Sequence, residues 1–82
     1  MKITLLLFAS LRDMLNAPQV ELEMPEGTIQ DAVDLLATRY PQARRLLERV
    51  HAAVNEEYRG RNTPLRDGDI LALIPPVSGG AR

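Results

Sequence analysis

The spacing of apolar and polar positions changes period several times along this chain, and each change predicts an element. From Ile3 to Phe8 the run I-T-L-L-L-F is almost continuously apolar, which predicts a central strand covered on both faces. Leu11 to Leu15 has short helical spacing and ends at Asn16-Ala17-Pro18, where proline cannot continue a helix. Val20, Leu22 and Met24 then alternate with Glu21 and Glu23. That period of two predicts a half-exposed strand, antiparallel to the first and near an edge. Pro25-Glu26-Gly27 reads as a turn, and Thr28 with Asp31 resembles a capping box carrying Asp in place of the usual Glu or Gln. Ile29, Ala32, Val33, Leu36 and Tyr40 recur at helical spacing, with Gln30, Asp31, Asp34 and Thr38 on the other side. They predict a helix that packs one face on a sheet. Pro41 ends it or opens a second short helix through Arg44, Leu46 and Leu47.

In the second half, His51 to Asn55 reads as a strand, and Glu56 to Gly60 as a turn into a short, weakly patterned segment. Asp67-Gly68-Asp69 is a turn signal, and Ile70 to Ile74 forms the last strand before Pro75 and Pro76. The order is strand, strand, helix, strand, short strand, strand. A right-handed crossover through the helix places a later strand parallel beside the first. The expected architecture is α+β, of the β-grasp kind: a mixed five-stranded sheet with one main helix packed across it and short extra helices. Residues 1–76 form that domain, and 77–82 are expected to be a flexible tail carrying Gly79 and Gly80.

Composition narrows the picture. A chain of 82 residues has room for one core, and a domain this small buries only about 60–65% of its unfolded surface. It has no cysteine to staple it, so apolar packing must hold it together. The same absence removes thiolate metal sites and a cysteine nucleophile, and it fits a reducing cytoplasm. The net charge of −1 supplies no field to attract nucleic acid or a membrane. The apolar run at the start is far below the roughly 20 residues a membrane span takes, and Arg12 and Asp13 follow it without a small-residue cleavage site.

Ordinary catalytic constellations are missing. His51 is the only histidine and reads as a solvated or core-edge side chain, so no metal site is expected. Asp67 and Asp69 lack the further oxygen ligands of a calcium loop. Arg39, Arg44, Arg45 and Arg49 read as a solvated helical face, and Arg59-Gly60-Arg61 follows two glutamates in a chain with 4% aromatic residues, which speaks against base stacking. What remains is the tail. Two prolines stiffen the exit from the sheet, Val77 offers an apolar anchor, and two residues without side chains make a probe thin enough for a narrow pocket.

The ending D-G-D-I-L-A-L-I-P-P-V-S-G-G, from Asp67 to Gly80, resembles the sulfur carriers that serve as the small subunit of molybdopterin synthase, a family of ubiquitin-like β-grasp proteins. L-L-F-A-S-L-R-D from Leu6 to Asp13 and A-A-V-N from Ala52 to Asn55 resemble the first and middle strands of the same family. The resemblance implies a protein cosubstrate without activity of its own. A ubiquitin-activator-like adenylyltransferase would use ATP and magnesium to adenylate the carboxylate of Gly80. A persulfide-bearing protein would supply sulfur for a Gly80 thiocarboxylate. The tail would then enter the synthase large subunit and donate sulfur to cyclic pyranopterin monophosphate, building the dithiolene. The chain itself would bind no cofactor.

By the same resemblance Phe8, Tyr58 and Ile74 would contact partners, with Pro75, Pro76 and Val77 guiding the tail and Arg12 pairing with a partner carboxylate. Core packing is the competing reading for the apolar residues, and a surface ion pair for Arg12. The family's mature chain ends at the second glycine, whereas Ala81 and Arg82 follow here. Proteolytic trimming, an artificial extension and truncation of a longer fusion are all open explanations. Related carriers for thiamine, cysteine or transfer RNA thiolation share the chemistry at Gly80, and a ubiquitin-like modifier joined to lysine is the reading of a different class.

Overall fold

A computed structural model describes residues 1–76. Strand β1 (Lys2–Leu7) leads through helix α1 (Ala9–Leu15) into β2 (Gln19–Glu23), and the main helix α2 (Ile29–Arg39) follows. A 3-10 turn (Pro41–Ala43) runs directly into a short helix α3 (Arg44–Leu47), and β3 (His51–Val54), β4 (Glu57–Tyr58) and β5 (Ile70–Ile74) follow. The strands lie in the order β2-β1-β5-β3-β4. β5 is parallel to β1, while β2 pairs antiparallel with β1 and β3 pairs antiparallel with both β4 and β5. This is the expected α+β mixed sheet of five strands. The alternating strand with two exposed glutamates does occupy an edge.

The helix across the sheet begins where the sequence places it. The Thr28 hydroxyl accepts from the Asp31 N–H at 3.3 Å, and the Asp31 carboxylate accepts from the Thr28 N–H at 2.8 Å. Aspartate therefore closes a reciprocal capping box despite its shorter side chain. Ile29, Ala32, Val33, Leu36 and Ala37 point inward from α2 and are buried. They meet Ile3, Leu5 and Leu7 from β1, Leu22 from β2, and Leu71 and Leu73 from β5 in one contiguous core.

Two expectations need correction. β1 is not covered on both faces: Ile3, Leu5 and Leu7 are buried, but Thr4 and Leu6 are only half-buried. The helices all pack on one side of the sheet's central strands, so the apolar run reflects a second face that is apolar yet open. The segment from Glu56 to Gly60 is not a turn throughout. The reversal is confined to Asn55 and Glu56, both at positive φ, and Glu57 and Tyr58 already pair with Val54 and Ala53.

The Asp67-Gly68-Asp69 turn is a clasp between the two central strands. The Lys2 N–H donates to Asp67 Oδ1 at 2.7 Å, the Gly68 N–H to the Lys2 carbonyl at 2.8 Å, and the Arg66 N–H to Asp69 Oδ2 at 2.8 Å. Among the described residues no helix is long and apolar enough to cross a membrane.

Candidate functional site

Side chains alternate across a strand, so each strand that lends residues to the core also presents residues to the opposite face. The register gathers these. Leu6 lies opposite Ala72, Ala72 opposite Ala53 and Ala53 opposite Tyr58, so these residues form one row across four strands. Ile74 lies opposite His51, and Phe8 follows the last β1–β5 pair, Leu7 with Leu73. Phe8, Ile74 and His51 therefore form a second row, at the end where the chain leaves β5. The two alanines set a low floor, and the larger side chains around them stand higher. Ala53 is buried but is not part of the contiguous core, because it belongs to this second face.

Local structure explains why the large side chains remain outside. Phe8 is the extended residue that precedes α1, and its carbonyl accepts from the N–H groups of Leu11 at 3.1 Å and Arg12 at 3.3 Å. Ala9 then turns the chain, with φ at 49°. The ring of Phe8 is left 41% exposed. Tyr58 is delivered by the Asn55-Glu56 reversal and is 71% exposed. Asn55 anchors that reversal to β5: its N–H donates to the Ile70 carbonyl at 2.8 Å, its Oδ1 accepts from the Ile70 N–H at 3.1 Å, and its Nδ2 donates to Asp69 Oδ1 at 3.1 Å. Ile74 is half-buried, Pro75 buried and Pro76 half-buried.

The structure thus brings Phe8, Tyr58 and Ile74 onto one face beside Pro75 and Pro76. Phe8 and Tyr58 are not core residues. Arg12 stands apart, exposed on α1 in a shallow groove with Asp13, Asn16 and Pro18. No carboxylate pairs with it among the described residues, where the one ion pair is Arg59 with Glu57 at 2.6 Å. Val77, Gly79, Gly80, Ala81 and Arg82 lie outside the described residues.

Sequence reasoning missed Leu6, Ala53, Ala72 and His51 as members of this face. Their signal was the small residue at the middle of I-L-A-L-I and the second alanine of H-A-A-V, which reads as a binding floor only once the register is known. The described residues hold no cluster of three or more histidine, aspartate or glutamate side chains placed to bind a metal ion. An open apolar face with aromatic walls is suited to bind a protein surface.

Comparison with known proteins agrees with this architecture. A family model described as the ThiS family matches residues 5–80. The molybdopterin synthase sulfur carrier subunit of Arabidopsis thaliana is 39% identical over 80 residues, covering 96% of this chain and 83% of the relative. Its counterpart in Mycobacterium tuberculosis is 38% identical over 81 residues, covering 96% and 98%. Among solved structures, SAMP1 from Haloferax volcanii superposes with a TM-score of 0.86 at 28% identity, covering 98% of this chain and 100% of that one. On a family match spanning nearly the whole sequence and on relatives well above a third identical, the chain belongs to the ThiS family.

Proposed function

We propose that this chain is the sulfur carrier subunit of a cytoplasmic molybdopterin synthase, a protein cosubstrate whose reacting group is the carboxyl of Gly80. The observation that carries the reading is the open apolar face at the root of the tail, in a chain whose relatives of near-equal length are carriers of this kind. A carboxylate is a poor electrophile. Adenylation by an ATP- and magnesium-using activating enzyme releases pyrophosphate and gives it a leaving group. The outer sulfur of a protein persulfide then displaces AMP to form an acyl disulfide, and a thiol cleaves that S–S bond, releasing the thiocarboxylate and leaving a disulfide. In the synthase large subunit that sulfur passes to cyclic pyranopterin monophosphate.

The division of labour follows from reach. Val77 to Gly80 span at most about 14 Å when extended, at roughly 3.5 Å per residue. A partner's active site must therefore open close to the docked sheet face. Gly79 and Gly80 let the backbone enter a channel that a Cβ would crowd. Ordering each of these residues costs about 1–2 kcal/mol, which contacts made by Phe8, Ile74 and Tyr58 offset. The chemistry requires the peptide bond between Gly80 and Ala81 to be cleaved first.

Intact-mass analysis of the native protein, incubated with its activating enzyme, ATP and a sulfur donor, tests this. The expected product has lost Ala81 and Arg82 and carries sulfur in place of one carboxylate oxygen. A chain that keeps both residues while the pathway runs overturns the reading. A second reading, a protein modifier, is favoured by the likeness to SAMP1, a small archaeal modifier protein. Isopeptide adducts between Gly80 and lysines of other proteins would establish it instead.

A further inference from the structure

Beside the apolar face, where β4 diverges from β3, lies a cleft lined by His51, Tyr58, Arg59, Gly60 and Arg61. Arg61 gives it an unusual charge. Arg61 is half-buried, and its guanidinium donates to the carbonyls of Leu47 at 2.9 Å and Val50 at 3.1 Å, and to Gln30 Oε1 at 3.2 Å. Every one of these acceptors is neutral, and no carboxylate pairs with Arg61 among the described residues. The contacts fix the guanidinium in place without cancelling its charge, and removal from water makes that charge act more strongly at short range. Arg59 stands at the rim, held by Glu57 at 2.6 Å. The His51 imidazole and Tyr58 hydroxyl add polar groups that can bind an oxyanion.

Resting on the carrier reading, we propose that this cleft receives an acidic side chain of the protein that docks on the open face, so that the apolar contact is bounded on the β3–β4 side by a charge contact that sets orientation. Two observations select that occupant. The cleft is continuous with the docking face, because Tyr58 and His51 belong to both. Its one uncompensated charge is positive, and a carboxylate is the protein group that complements it. Charges at the rim of an interface act mainly on association rate and its salt dependence.

The test measures association of the full chain with the molybdopterin synthase large subunit of the same organism, at low and high salt. Arg61 is left intact, since removing it also strips the carbonyls of Leu47 and Val50 of a donor. His51→Glu and Arg59→Glu alter exposed positions and are expected to slow association roughly tenfold at low salt and to flatten its salt dependence. Their unfolding midpoints should match that of the unaltered chain. Arg45→Glu, on α3 and outside the cleft, should change the rate by no more than about twofold, as expected of a charge away from the contact. Unchanged association in both cleft variants, with Phe8→Ala still weakening the complex, overturns the cleft and leaves the carrier reading standing. Failure of the unaltered chain to bind the large subunit at all overturns both.

Discussion

At Glu56 a long side chain occupies a backbone conformation it does not favour. The β3–β4 reversal has φ of 50° at Asn55 and 75° at Glu56, the pattern of a two-residue hairpin in which glycine is preferred at the second position. Asparagine tolerates the left-handed region and here also ties the hairpin to β5 through its side chain. Glutamate brings no such compensation. Glu56→Gly should therefore raise stability by about 0.5–1 kcal/mol in urea unfolding, with strain relief exceeding the added freedom of the unfolded chain. Asn55→Ala should lower it by about 1–2 kcal/mol, because two side-chain hydrogen bonds and the tolerated conformation are lost together. Gly68 offers a control on the same effect: its φ is 89° and a Cβ there would meet no atom within 4 Å. Any loss on Gly68→Ala, expected at about 1 kcal/mol or more, is then backbone strain alone.

Among the elements, α2 depends most on its first turn. The Thr28–Asp31 box satisfies donors that the helix cannot satisfy internally. Thr28→Ala should cost about 1 kcal/mol, read as a lower urea midpoint with an unchanged slope. The elements also differ in how plainly they are written in the sequence. α2 has a capping signal and sustained helical spacing, so its start and buried stripe are legible. β4 is two residues long and lacks a pattern, because its existence depends on the turn before it and on β3 being there to pair with. α1 is anticipated from Leu11, yet it begins at Ala9, since the residues that turn the chain after Phe8 carry no helical spacing of their own.

For the whole molecule, one face of the sheet packs against the helices and the other, the proposed docking face, is open. A chain of 82 residues has a total stability of about 4–12 kcal/mol. Leu73→Ala or Leu5→Ala on the helix-covered face removes a fully buried side chain and should cost about 2–5 kcal/mol, enough to threaten folding. Phe8→Ala and Tyr58→Ala on the open face should change the unfolding midpoint little. They should weaken docking to the synthase large subunit by roughly tenfold or more, as aromatic anchors do near the centre of an interface. Comparing unfolding with calorimetric binding for the same variants separates the two roles. Equal losses of stability and binding would show that the open face is structural.

By itself, the sequence determined the β-grasp order of elements, the capped helix and its buried stripe, and the edge position of β2. These are local: each depends on periodicity, turn chemistry or a contiguous motif, and a few neighbouring residues suffice to encode it. Only the tertiary structure decided that the apolar run of β1 faces an open side, that Phe8 and Tyr58 share it with Leu6, Ala53, Ala72 and Ile74, and that His51 stands beside Ile74. Those residues are drawn from four strands, with β1 far in the chain from β3, β4 and β5. Strand register brings them together, and a shift of one residue in any pairing would send the same side chains to the core.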